Sequence, residues 1–274
     1  MNSPAFSRHI LYTLVCFFIL GAPWLHAQSG TWVTGYYTTW GVCGITPAQI
    51  NWSVYTHIIH QAVEPSQNPN DPNGWGRGGG SGPGSTGGAF WGMNGGLAVL
   101  ETAGGTACSG TRIQRQLIDT AHAHGRKVIL GLGGGNTGGN WVWMYNNNHI
   151  SEYVRSVSDY AKVRGYDGFD IDWEYPPGGN DLTAFYALLR TLKDTMKTWS
   201  KPGVLTIAGW GNVGACSSWN MDTVQKYVDQ INIMVYDQIF SVTTGLDGAL
   251  YAYTCNAYSQ TANGDNLLRR WVGR

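Results

Sequence analysis

The chain has 274 residues, a formal net charge of zero and only 12% charged side chains. That balance leaves no footprint for nucleic acid or an anionic membrane surface, and the length suits one large domain or two small ones. Thirteen tryptophans and 39 glycines in so uncharged a chain suit a site that stacks flat neutral rings, with some of the tryptophans filling a core.

Residues 1–27 read as a signal peptide. Arg8 and His9 precede an apolar run from Ile10 to Leu20, and Ala27 ends a candidate cleavage site. The run is short for a membrane span, although an uncleaved anchor is the alternative. Export places the protein outside the cell or in a periplasm, an oxidising compartment. Cys16 leaves with the leader. Cys43, Cys108, Cys216 and Cys255 remain, with no C-x-x-C spacing and no assignable pairing.

Trp32 to Tyr37 and Tyr55 to Val63 read as strands. Ser66 to Gly96 is Gly-, Pro-, Asn- and Ser-rich and reads as a surface loop, or as a cleft wall carrying Trp75 and Trp91. Thr111 to His124 has helical spacing and stops at Gly125. Lys127 to Leu132 is a short strand running into Gly133-Gly134-Gly135. His149 to Arg164 reads as a helix closed by Gly165. Leu182 to Trp199 is a helix, Val204 to Gly209 a strand, Met221 to Val228 a short helix and Gln230 to Tyr236 a strand. Asn266 to Val272 begins another helix. Strands alternating with helices predict βα units and a parallel sheet. No G-x-G-x-x-G follows the first strand, which disfavours a dinucleotide fold. Glycines 131, 133 and 135 share one face of their strand and leave room beside bulkier neighbours.

The fourth strand carries the chemistry. In Asp167-Gly168-Phe169-Asp170-Ile171-Asp172-Trp173-Glu174-Tyr175-Pro176, side chains two apart point the same way. Asp170, Asp172 and Glu174 share one face, while Phe169, Ile171 and Trp173 share the other and want helices to pack on. Three carboxyls held close cannot all ionise, so at least one pKa rises. A carboxyl protonated near neutrality is a usable general acid. Glu174 lies at the carboxyl end of the strand, where barrels gather their catalytic groups. On the sixth strand Asn232, Met234 and Tyr236 share a face. His57 and His60 read as packing or hydrogen-bonding residues.

These motifs resemble glycoside hydrolase family 18, the chitinase family. D-x-x-D-x-D-x-E reads as Asp167, Asp170, Asp172 and Glu174, and M-x-Y-D as Met234, Val235, Tyr236 and Asp237. Thr244 to Tyr251 resembles the loop T-G-x-x-A-x-L-Y, and Gly35-Tyr36-Tyr37 with Trp40 resembles the opening strand and its stacking tryptophan. The resemblance implies an α/β fold, a (β/α)8 TIM barrel, with about six βα units in residues 28–274. It implies hydrolysis of chitin or N-acetylglucosamine oligosaccharides by substrate assistance rather than by a second carboxylate. Glu174 is then the general acid and base. Asp172 orients the N-acetyl group, Asp170 pairs with Asp172, and Tyr236 holds the acetamido oxygen. Tyr36, Trp40, Met234, Asp237 and Asp167 bind substrate. No metal or organic cofactor, no nucleic acid and no membrane contact after leader cleavage are implied, and the full-length protein is expected to be a monomer. A chitin-binding lectin on the same barrel and an endo-β-N-acetylglucosaminidase acting on glycoproteins are the alternatives.

Three departures from the family pattern stand out. Its third-strand serine is Gly131 here, and the tryptophan that often follows is Gly135, with Trp141 or Trp143 as candidate substitutes. Ala62 sits near the place of an inward aromatic on the second strand. The helix from Asn266 resembles the one before a seventh strand, so strands seven and eight are absent and the chain reads as an incomplete copy of a longer protein. A cooperative melt of residues 28–274 as a monomer would count against that reading.

Overall fold

Six short stretches, each apolar on at least one face, become six parallel strands. In the computed structural model these are β1 (Thr34–Thr38), β2 (His57–Val63), β3 (Lys127–Gly135), β4 (Gly168–Glu174), β5 (Val204–Trp210) and β6 (Gln230–Met234). The structure describes residues 30–38, 45–63, 65, 110–135, 137–211, 213–236 and 264–272. The sheet order is β1-β2-β3-β4-β5-β6, the sequential order of a barrel wall. The helices are α1 (Gly110–Ala123), α2 (Gly138–Asn146), α3 (Ile150–Arg164), α4 (Gly179–Met196), α5 (Met221–Val224) and α6 (Gly264–Val272).

The strand faces divide the molecule into two environments. Leu130, Leu132, Phe169, Ile171, Trp173, Leu205 and Ile207 point outward and are buried under helices, with Leu117, Tyr153, Val157, Leu188 and Leu192 among their partners. Each such side chain contributes roughly 1.5–3 kcal/mol on burial. A buried polar chain runs through this outer layer. Gln114 Nε2 donates to the Tyr160 and Tyr166 hydroxyls, and the Tyr166 hydroxyl meets His60 Nδ1. His60 is therefore a packing residue, as the sequence suggests. Burial lowers its pKa to about 4 and keeps it neutral.

The inner face is polar. Gln230 Nε2 on β6 donates to Thr34 Oγ1 on β1 at 2.9 Å, so the sheet curls until its first and sixth strands exchange a hydrogen bond. Parallel register sets Gly131 beside Asp170, Gly133 beside Asp172 and Gly135 beside Glu174. The three glycines, which alternation puts on one face, therefore flank the three acids on the inner face.

Sequence reading misses α2, whose start is Gly138-Gly139. Burial holds it rather than propensity. Trp141 and Met144 are fully buried, and Trp141 stacks on Trp173 with ring centroids 5.9 Å apart. Trp143 stacks on His149 instead. Neither tryptophan lines the inner cleft, so neither replaces the ring that Gly135 lacks. α5 is also shorter than the predicted Met221 to Val228, with Asn220 capping its start by accepting from Thr223 N.

Asp167 is a correction to the sequence reading. Its separation from Asp170 is odd, so it cannot share the face of the acid row. The structure places it just before β4, at the strand's amino end. There its Oδ2 accepts from Val128 N at 2.8 Å and meets His122 Nε2 at 2.8 Å. Asp229 repeats the device before β6, accepting from Leu205 N at 2.8 Å and from Lys193 Nζ. Each aspartate ties its own strand to a neighbouring one. Asp167→Ala leaves an unsatisfied backbone donor, and we expect a loss of about 1–3 kcal/mol in urea melts without loss of ligand binding in the cleft.

Candidate active site

The acid row sits at three depths. Asp170 is 0% exposed and Asp172 is 6% exposed, while Glu174 is exposed at the carboxyl end of β4. Asp170 is held from three strands. Thr206 Oγ1 on β5 donates to its Oδ1 at 2.5 Å, Asn232 Nδ2 on β6 donates to the same oxygen at 3.1 Å, and the Tyr36 hydroxyl on β1 donates to Oδ2 at 3.1 Å. Burial pushes the Asp170 carboxyl up to about 6, against the pull of those donors. Burial first, then the Asp170 charge, raises the Tyr36 phenol, which keeps it protonated and a donor.

Asp172 lies between two like charges. Burial is the larger cause, and the charges of Glu174 and Asp170 add to it, so its pKa rises to about 7. One donor opposes them: Gln61 Nε2 on β2 reaches Asp172 Oδ2 at 2.5 Å. Asp172 Oδ1 is buried without a hydrogen-bond partner. The link between Asp170 and Asp172 is thus repulsion between neighbouring charges, with Asp170 anchored on its own donors. Both buried carboxyls are raised.

Above the row opens a cleft of about 450 Å³. Tyr36 and Thr38 of β1, Gln61 of β2, Gly134 and Gly135 of β3, Asp172 and Glu174 of β4, and Ala208 and Trp210 of β5 form its wall, with Met234 and Tyr236 from the end of β6. Tyr175 follows Glu174 and stacks on Trp210, with centroids 5.4 Å apart and planes 7° from parallel. Tyr236 is 48% exposed and lines the cleft. A Cβ at Gly135 would sit 3.8 Å from Glu174 Oε1, and a larger side chain there would cover the acid. Among the described residues no cluster of His, Cys, Asp or Glu is arranged to hold a metal ion.

The structure therefore brings together Tyr36, Asp170, Asp172, Glu174, Met234 and Tyr236, and sets Asp167 apart. Trp40 and Asp237 lie outside the described residues, as do Trp75, Trp91, the stretch from Thr244 to Tyr251 and the leader. Sequence reading missed Gln61, Thr206 and Trp210. Alternation on β5 would have placed Thr206, Ala208 and Trp210 on the inner face, and on β2 it would have placed Gln61 there with Ile59.

A sequence model of glycosyl hydrolases family 18 matches residues 32–274. The chain belongs to that family. Chitinase 1 of Aphanocladium album is 26% identical over 161 residues, covering 53% of this chain and 37% of that protein. The class V chitinase of Arabidopsis thaliana is 27% identical, covering 53% of this chain and 40% of its own length. Among solved structures, catalytic domain 2 of the Ostrinia furnacalis group II chitinase, a mutant bound to (NAG)5, superposes with a TM-score of 0.67 at 20% identity. It spans 88% of this chain and 60% of that one. The class V chitinase of Nicotiana tobaccum gives 0.61 at 19% identity, over 88% of this chain and 62% of its own. The family 18 chain thus spans less than two thirds of the length of these relatives, and the solved ones share its fold.

Proposed function

We propose that this family 18 protein hydrolyses β-1,4 linkages between N-acetylglucosamine units in chitin and its oligosaccharides, with retention and by substrate assistance. The observation that carries the reading is Asp172 Oδ1, a buried acceptor without a partner, one pleat below the exposed carboxyl of Glu174. An acetamido N–H is a donor of the right kind for that oxygen. Bound there, the group has its carbonyl oxygen free to attack the anomeric carbon. As that C–O bond forms, the glycosidic C–O bond breaks and Glu174 gives its proton to the leaving oxygen. The ionised Asp172 carboxylate offsets the positive charge of the oxazolinium that results. The Tyr236 hydroxyl holds the acetamido oxygen in line, and the Tyr175–Trp210 pair and Met234 offer apolar surface to sugar rings. Glu174 then takes a proton from a water that attacks the anomeric carbon from the side the leaving group left. The bond from that carbon to the acetamido oxygen breaks, the N-acetyl group and the carboxylic acid are restored, and the configuration is retained. A leader at residues 1–27 would carry the enzyme to a polymer outside the cell.

The test is the acetyl group itself. A tetramer of N-acetylglucosamine should be cut with the β-anomer appearing first by NMR. The fully de-N-acetylated tetramer should not be cut, because it lacks the nucleophile. Comparable rates on both tetramers would overturn substrate assistance.

A further inference from the structure

We propose that Gln61 is a positioning residue for Asp172, and that Gly131 is a glycine because the Gln61 amide occupies the space its side chain would fill; the catalytic part of this rests on the function proposed above. Between β2 and β3 the register runs His60 against Leu130 and then Val63 against Leu132, so β2 spends three residues where β3 spends two. Against β1 the register stays regular through Gln61, which pairs with Thr38, so Gln61 keeps the inward face two residues on from Ile59. Here Gln61 enters the cleft, 6% exposed, and donates from Nε2 to Asp172 Oδ2 at 2.5 Å. On β3 the amide is flanked by Gly131. A Cβ at 131 would stand 2.6 Å from Gln61 Oε1 and 3.2 Å from Gln61 Cα, so the amide would have to move from its place beside Asp172. The family pattern puts a serine at that position, and this chain fills the space from the neighbouring strand instead.

The consequence is a choice of oxygen. An Asp172 carboxyl between two like charges can turn and take up a proton on either oxygen. A fixed donor on Oδ2 holds the rotamer and leaves Oδ1 as the acceptor offered to ligand. The same donor favours the ionised form, in opposition to burial and to Glu174 and Asp170. Tyr36, Thr206 and Asn232 face Asp170 rather than Asp172, so among the described residues Gln61 supplies the one hydrogen bond that Asp172 receives from a side chain.

The experiment compares wild type, Gln61→Ala, Gly131→Ala and the double variant. Its first readout is the pH profile of kcat/KM on the N-acetylglucosamine tetramer. Loss of a donor to a charged group should lower kcat/KM about tenfold near neutrality and move the acid limb up by about one pH unit. Gly131→Ala should do the same by displacing the amide, and should add nothing once residue 61 is alanine. A second readout needs no turnover: the infrared carbonyl band of protonated Asp172, assigned by its loss in Asp172→Asn, should persist to higher pH in Gln61→Ala. An unmoved acid limb with a uniform loss of rate, or an equal Gly131→Ala penalty in both backgrounds, would overturn the proposal. A wild type that cleaves nothing would sink the hydrolase reading, and the carboxyl titration alone would then decide whether Gln61 holds Asp172.

Discussion

Glu174→Gln should lower kcat on N-acetylglucosamine oligomers by about 10²–10⁴-fold, the usual contribution of a general acid, while leaving oligosaccharide affinity near wild type. Glutamine keeps the shape of the side chain and loses the transferable proton. Glu174 is exposed at the strand end, and the Cβ-free Gly135 leaves it open to the leaving oxygen. The substitution also removes a charge that helps to raise Asp172, so the variant should fold at least as well as wild type at neutral pH. Single-turnover rates and calorimetric affinity, measured together, separate the outcomes. A wild type that binds without turnover would point to the lectin alternative. A Gln variant as fast as wild type would remove Glu174 from the mechanism.

Alternation made much of this site legible before the fold was known. It puts three acids on one face of β4, three glycines on one face of β3, and Asn232, Met234 and Tyr236 on one face of the sixth strand, because a strand has a fixed period of two; that the glycines lie beside the acids comes from the register. The same rule would have rejected Asp167, an odd step from Asp170, had the motif not carried it along. Gln61 follows the same period, in register with Thr38 of β1, but its partner Asp172 lies on a strand that is not its neighbour, and no local pattern points to it. Helix α2 was hidden because two glycines open it and tertiary burial of Trp141 and Met144 outweighs their poor propensity. Which oxygen of Asp172 lacks a partner is a fact of packing between strands 111 residues apart, and no local pattern encodes it.

Asp172→Asn should stabilise the fold and cripple the site, and the stabilisation should depend on pH with a definite sign. The Asp172 carboxyl goes from an ordinary 3.8 to about 7 on folding. Between those values the native state binds more protons than the unfolded chain, so this residue's contribution to stability falls as pH rises through the window. Below about pH 4 both states carry a neutral carboxyl and the cost vanishes. Above about pH 7 both are ionised and the cost is complete. Asparagine never ionises, keeps an acceptor for Gln61 Nε2, and escapes repulsion from Asp170 and Glu174. The variant's advantage in urea melts should therefore be near zero at pH 4 and on the order of 2 kcal/mol at pH 7.5, where a three-unit shift sets a ceiling of about 4 kcal/mol. Taking the difference between wild type and variant cancels the other titrating groups. Activity should fall by about 10²-fold, since the amide no longer balances the charge of the intermediate. An advantage that is the same at both pH values would mean that Asp172 does not titrate in this window. A pH-dependent gain in stability joined to a loss of rate would identify a charge that the fold tolerates at its own expense for the sake of the chemistry.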